Sequence, residues 1–205
     1  QGALGAVQEY DAIYRQLSIL KDMGCNAIRT THNTTSRVVI EICNELGLLV
    51  MEEFFDGWDA SKNYNDHDFS EYFNETINSD NEIIGANGQK WFEFVVEQTV
   101  LRDRHDPCVI AWGVGNELYN ITLDGSLEAT SNYENIVKDI IVITDKLDPE
   151  RVLVQGNNKS HSEPTMLVDR YMDIIGGNYS PDGWEWVMDE SDDFRSSLPF
   201  VATEA

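Results

Sequence analysis

Basic residues are scarce in this chain. Only 14 Lys and Arg stand against 37 Asp and Glu in 205 residues, a formal net charge of −23. A protein that holds nucleic acid replaces counterions with clustered cations, and no such cluster occurs, so that class is excluded. The acidic residues are spread out rather than massed in blocks, which describes a solvated surface. Cysteine is scarce too. Cys25, Cys43 and Cys108 are odd in number, widely spaced and each set in an apolar segment. That pattern predicts buried free thiols and excludes a disulfide framework. The four histidines are scattered, and no Cys/His set has zinc spacing. No apolar run approaches the ~18 residues of a membrane span.

The opening, "QGALGAVQEYDAIY", lacks a Met and lacks a basic stretch leading into an apolar core. The chain is therefore expected to be a piece of a longer protein, and not to begin with a signal peptide. Compartment stays open, with the cytoplasm as the default expectation. Sequons occur at Asn33, Asn74, Asn120, Asn158 and Asn178. Several fall where a binding site is placed below, so they are read as unglycosylated.

What is present is 41% apolar residues, enough for one domain with a sizeable core. Ile13, Leu17, Leu20 and Met23 recur at helical spacing and stop at Gly24. "CNAIRTTH" reads as a strand. "SRVVIEICNELG" reads as a helix, with Ser36 as N-cap and Gly47 as stop. "LLVMEEF" is the next strand. Residues 57–90 are polar and too long for a plain connector. A helix over about 89–104 carries Phe92, Val96 and Val100 in register. "PCVIAWGVGNE" is a strand, with Trp112 in the core. A helix over about 132–147 runs through Ile136, Ile140, Ile143 and Leu147. "RVLVQG", "MDIIGGNY" and "PFVATEA" are strands, with a weaker helix around 184–195 before the last.

Apolar strands alternating with helices predict a parallel sheet with helical crossovers. An open dinucleotide-binding sheet would carry a glycine-rich turn after its first strand, and "GALGAV" has no strand before it. The remaining solution is a (β/α)8 TIM barrel, an α/β fold whose site forms where strands end. These strands end on Arg29 with His32 and Asn33, on Glu52 and Glu53, on Asn116 and Glu117, on Gln155 with Asn157, on Asn178 and Tyr179, and on Thr203 and Glu204. Polar groups converging at one end of a barrel suit a ligand dense in hydroxyls.

At this point the residues carry a resemblance. "KDMGCNAIRTTHN", "CNELGLLVMEEFFDGW" and "RDRHDPCVIAWGVGNE", with "IIGGNY" and "FVATEA" in the right order, resemble the catalytic barrel of glycoside hydrolase family two. That family includes β-galactosidases, β-glucuronidases and β-mannosidases. The resemblance implies that the chain covers barrel strands two to seven. The first and eighth strands, and flanking β-sandwich domains, would belong to the parent outside residues 1–205. It implies Glu117 as acid/base and Glu204 as nucleophile, with Tyr179 and Arg29 holding the nucleophile ionised. Asn116 would bind the sugar's 2-hydroxyl. His32 would contact sugar hydroxyls, Asp56 or Trp58 would line the sugar subsite, and Asn33 joins the substrate-binding set.

The chemistry this implies is a double displacement by two carboxyls in opposite protonation states, about 5–5.5 Å apart in a retaining enzyme. The implied activity is that of a retaining, exo-acting β-glycosidase, with a lean toward β-galactosidase from "EEFFDGW" and with β-glucuronidase or β-mannosidase as alternatives. An endo-acting hydrolase of the same clan and a glycan-binding barrel without catalysis are the rivals. Metal-dependent β-galactosidases of the family carry Glu-x-His after the third strand. "EEFFDGWD" has no His, so no metal ligand is assigned and a divalent cofactor is in doubt. The expected partner is a β-glycoside, with no nucleic acid and no membrane. Homo-oligomerisation of the parent is left open. Glu52 and Glu53 are expected to include one structural ion-pair partner and receive no catalytic role.

Overall fold

The computed structural model describes residues 6–61, 67–83, 85–86, 88–118, 120–121, 127–128, 132–158, 167–179 and 197–204. Six strands form one sheet: β1 (Ala27–Thr30), β2 (Leu49–Glu53), β3 (Val109–Asn116), β6 (Val152–Gly156), β7 (Ile174–Asn178) and β8 (Phe200–Glu204). They lie in the order β1-β2-β3-β6-β7-β8, and every pairing is parallel. α1 (Tyr10–Asp22) precedes them, and between them run α2 (Arg37–Leu46), α3 (Ser70–Phe73), α4 (Trp91–Asp103) and α5 (Tyr133–Leu147). A short antiparallel ribbon, β4 (Asn120–Ile121) with β5 (Leu127–Glu128), follows β3 and was not expected. The helix expected around 184–195 lies outside the described residues.

The sheet is rolled. Six flat strands would hold β1 and β8 about 24 Å apart. Yet Arg29 on β1 donates to Glu204 Oε1 on β8 at 2.8 Å and to the Thr203 carbonyl at 3.2 Å. Only a curved wall lets one arginine reach the opposite edge. This is an incomplete (β/α)8 barrel, as the alternating pattern predicted.

The core lies between the sheet and its helices. Ile40, Ile42 and Cys43 of α2, Phe92, Val96 and Val100 of α4, and Ile136 and Ile140 of α5 are buried against Val50, Val109, Trp112 and Val114. The α1 stripe is shorter than its spacing suggested. Ile13 and Leu17 are buried, but Met23 is the C-cap, turned outward just before Gly24 at φ +97°. Ser36 does sit at the N-cap of α2, but its hydroxyl turns to Gln8 and caps nothing. Cys43 and Cys108 are buried thiols, whereas Cys25, just past the end of α1, is half-exposed.

The polar stretch after β2 is organised by its few aromatics. Phe73 stacks on Phe92 at 4.8 Å between ring centroids and meets Phe55 edge-on at 5.1 Å. Trp58 meets Tyr133 edge-on at 5.2 Å. Offset and edge-on pairs of this kind add to burial, and they fasten the long connection over α4 and α5.

Candidate active site

Side chains alternate across a strand, so a one-residue insertion reverses which face every later residue occupies. Two such bulges build this site. In β3, Gly113 pairs with Val154, but Gly115 pairs with Gln155, so Val114 is the extra residue. Before the bulge, Trp112 faces the helices, its indole N–H donating to Asp148 at 2.9 Å. Without the bulge, Asn116 would share that face. With it, Asn116 turns inward beside Gly156. In β8 the register shifts in the same sense, Gly177 pairing with Ala202 and Asn178 with Glu204. Thr203 is the extra residue, and Glu204 turns inward.

The inward residues close into one hydrogen-bonded cluster. Arg29 donates through Nη1 to Glu204, through Nη2 to Asn116 Oδ1 at 2.8 Å, and through Nε to Glu53 Oε1 at 2.7 Å. His32 Nδ1 lies 3.0 Å from Glu53 Oε2, and its Nε2 lies 3.1 Å from Glu204 Oε1. The Thr31–His32 peptide bond is cis. Asn178 donates to Asn116 Oδ1 at 2.9 Å and to Glu117 Oε1 at 3.1 Å, and it accepts from Thr203 Oγ1 at 2.6 Å. Asn116 in turn donates to Asp56 Oδ1 at 3.1 Å.

Two residues that leave the strand ends have left-handed backbone, Glu117 at φ 48° and Tyr179 at φ 54°. Each directly follows a strand's terminal Asn. Each backbone N–H is tied to the neighbouring strand, Glu117 to the Gly156 carbonyl at 2.7 Å and Tyr179 to the Glu204 carbonyl at 3.0 Å. Sparsely populated backbone held by its surroundings is characteristic of functional sites. Gly156 supplies room rather than φ freedom. A Cβ there would collide with the Arg29 guanidinium and lie 3.0 Å from Asn116 Oδ1.

The electrostatics follow the contacts. Burial works against the Glu204 charge, but hydrogen bonds from Tyr179 and Arg29 outweigh it and hold the carboxyl below its ordinary value. The same hydrogen bond pushes the Tyr179 hydroxyl up to about 12. The Glu53 hydrogen bond raises the His32 imidazole, against the opposing effect of burial, and the charges of Glu53, Asp56 and Glu204 add to the rise.

Not every polar strand end joins the cluster. Glu52 faces the helices and pairs with Arg102 at 3.0 Å. Gln155 is buried level with Gly115, on the helix-facing side. Trp58, expected to line the sugar subsite, is 1% exposed, with its indole N–H donating to the Val114 carbonyl at 2.9 Å. Its ring is packed among Phe73 and Tyr133, so it supports the strand carrying Asn116 from behind. Asn33 is exposed and lines a cavity of about 350 Å³ with Gln8, Gln16 and Thr31. No hydrogen bond joins it to the cluster among the described residues. The sequence reading missed Glu53, which is 1% exposed and anchors both Arg29 and His32. Its signal was its place at a strand end next to a second glutamate, which made the pair look structural.

The stretch where metal-dependent relatives would carry Glu-x-His holds Phe54 and Phe55, both in the core. Among the described residues no three His, Cys, Asp or Glu side chains gather as a metal site. Among the described residues the donor set for such a metal is not assembled there.

A rolled parallel sheet gathers carboxylates, amides and an arginine at its strand ends, and comparison with known proteins gives its family. The model of "Glycosyl hydrolases family 2, TIM barrel domain" matches residues 2–204, and the chain belongs to that family. It is 31% identical over 202 residues to the β-galactosidase BoGH2A of Bacteroides ovatus, covering 87% of this chain and 22% of that protein. It is 28% identical over 206 residues to a putative β-glucuronidase of Formosa agariphila, covering all of this chain and 16% of the other. The crystal structure of a glycosyl hydrolase family 2 member from Bacteroides cellulosilyticus superposes with a TM-score of 0.77 at 27% identity, covering 98% of this chain and 22% of that one. The chain spans about a fifth of the length of these relatives.

Proposed function

We propose that this chain carries the catalytic carboxylates of a retaining, exo-acting β-glycosidase, a β-galactosidase in the first instance. The observation that carries the reading is the double hold of Arg29 on Glu204 and on Asn116, the neighbour of Glu117. It ties the strand end that carries Glu204 to the one that precedes Glu117, remote in sequence, through one guanidinium.

In this reading Glu204 attacks the anomeric carbon. Its charge is kept available by Arg29 and Tyr179, and its carboxyl bonds to the sugar as the aglycone departs. Glu117 gives its proton to the leaving oxygen. With the glycosyl ester formed, the charge on Glu204 is gone, and Glu117 takes a proton from the water that hydrolyses the ester. Asn116, oriented by Asp56 and Asn178, binds the sugar's 2-hydroxyl in this reading, a contact that strengthens in the transition state. A neutral sugar is favoured over a uronate by the partners of Arg29 and His32. Among the described residues, these two cationic groups of the cluster are already bonded to Glu53 and Glu204.

The test is a panel of nitrophenyl β-glycosides on the full-length parent, galactoside, glucuronide and mannoside included, with the first-formed anomer read by NMR. Galactoside turnover releasing the β-anomer supports the reading. An α-anomer as first product contradicts retention. Preference for the glucuronide moves the specificity to the class named among the relatives and leaves the carboxylate roles standing.

A further inference from the structure

We propose that Glu53 is a positioning residue that aligns Arg29 and His32 as two cations against the nucleophile Glu204. This rests on the hydrolase reading above and adds to it a residue and a protonation state.

The geometry is specific. The two oxygens of Glu53 are divided between two partners, Oε1 to Arg29 Nε at 2.7 Å and Oε2 to His32 Nδ1 at 3.0 Å. Each partner then presents a further nitrogen to the same atom, Glu204 Oε1, at 2.8 Å for Arg29 and 3.1 Å for His32. A carboxylate only accepts hydrogen bonds. Nδ1 must therefore carry a proton toward Glu53, and Nε2 stands 3.1 Å from Glu204 Oε1, an ion-pair distance at which a protonated nitrogen is attracted and a bare lone pair repelled. An imidazole protonated on both nitrogens, as these two carboxylate neighbours favour, is an imidazolium. Glu53 is buried and Gly113 lets it lie close to β3, where a Cβ would approach its Cγ to 2.5 Å. The anchor is thus fixed while His32 stands at the edge of the site.

The charged groups facing His32 are Glu53 on β2, Asp56 in the turn after β2 and Glu204 on β8, and all three favour the imidazolium. Arg29 on β1 shares Glu53 and Glu204 with it. When the glycosyl ester forms, the bond between the anomeric carbon and the aglycone oxygen breaks, one to Glu204 forms, and the proton of Glu117 leaves with the aglycone. His32 then loses one of its carboxylate partners and keeps Glu53. The imidazolium is held through the cycle by Glu53 and helps restore the Glu204 carboxylate as leaving group in the second step.

The sign of the pH dependence follows. A raised imidazole keeps its cation below its raised midpoint and loses it as pH rises through that midpoint. In Glu53→Gln the midpoint falls, because the hydrogen bond and charge that raise it most are lost. The experiment follows the His32 ring by NMR in the full-length parent labelled at histidine, the signal being assigned by its absence in His32→Gln. Alongside it, kcat/KM is measured against pH with a dinitrophenyl glycoside, whose leaving group barely needs Glu117's proton.

The proposal expects the midpoint and the basic limb to move together to lower pH in Glu53→Gln. Should that variant not fold, Glu204→Gln reads the other contact by NMR alone, and the midpoint should fall there too. A His32 midpoint unchanged in the folded variant overturns the proposal, as does a basic limb that stays in place while the midpoint moves. A wild-type parent that turns over no glycoside fails the hydrolase reading instead, and the NMR midpoints still judge the Glu53–His32 pair.

Discussion

Glu52 and Glu53 are neighbours in sequence, both buried, and both bonded to an arginine, yet they belong to opposite sides of the sheet. Glu53 faces inward with Arg29 and His32. Glu52 faces the helices, where Arg102 bonds it along with the Thr35 carbonyl and Asp103. Arg37 extends that outer network, donating to Asp103 at 2.9 Å and to both oxygens of Asp106, and Asn44 donates to Asp106 at 2.6 Å. The outer network ties α2, α4 and the start of β3 together. The inner one ends at the rim of the site, with Glu204, His32 and Tyr179 at least partly open to solvent. The difference teaches that a buried ion pair is not in itself a sign of function. What separates the two networks is whether their last members reach an open face and whether a carboxylate there is kept charged. Glu204 is held below its ordinary value by Tyr179 and Arg29 despite its burial. Glu52 is pushed up to about 8 by burial and by the Asp103 carboxylate, against the pull of Arg102.

If the comparison is right, damage to the inner network removes rate and damage to the outer one changes stability. The largest effect belongs to Glu204→Gln in the full-length parent. Turnover of an activated aryl glycoside should fall by about 10⁴-fold or more with the melting temperature nearly unchanged. Retained activity above a few per cent would break the assignment. Next comes Glu117→Gln. Poor leaving groups should lose about 10²–10⁴-fold, the range of a lost general acid, and dinitrophenyl glycosides far less. Equal losses for both would remove Glu117 from the acid/base role.

Gly156→Ala sharpens the comparison without touching a charge. The added methyl displaces the Arg29 guanidinium, and a misplacement near 1 Å costs about 10²-fold in rate. A kcat/KM close to wild type would show that Arg29 placement is not limiting.

The smallest effect lies on the outer face. A carboxyl raised above its unfolded value binds more protons in the fold than out of it. Its contribution is fully present below about 4.5 and is lost as pH rises toward about 8. Glu52→Gln in the full-length parent should therefore melt higher than wild type above about pH 8, by about 2 °C or less for each kcal/mol recovered in a protein of that size, with kcat unaltered. A variant whose melting curve follows the wild-type pH dependence throughout would mean that Glu52 is not the group responsible.

Much of this was legible before any coordinates. The apolar strand bodies and helical stripes announced a parallel barrel, and abrupt polar endings picked out Glu117, Asn116, Arg29, Tyr179 and Glu204, which the fold brings into one cluster. What was not legible was the face on which each ending lies. Alternation from Trp112 puts Asn116 among the helices, and only the bulge at Val114 turns it inward. Glu52, Glu53 and Gln155 were indistinguishable as polar strand ends, because face depends on register and register is set by pairing partners remote in sequence. The family resemblance offered Trp58, or Asp56, as a lining of the sugar subsite. The neighbours of Trp58, Phe73 and Tyr133, distant in sequence, draw it into the core.

The central claim is that Glu204 forms the covalent bond. The direct measurement is to incubate the full-length parent with a 2-deoxy-2-fluoro glycosyl fluoride of the sugar it turns over, digest it, and locate the adduct by mass spectrometry. The account predicts one stoichiometric label, on the peptide that ends β8 and on Glu204 itself, appearing as activity is lost. A label on Glu117 or elsewhere, or full inactivation with no covalent adduct, would contradict it.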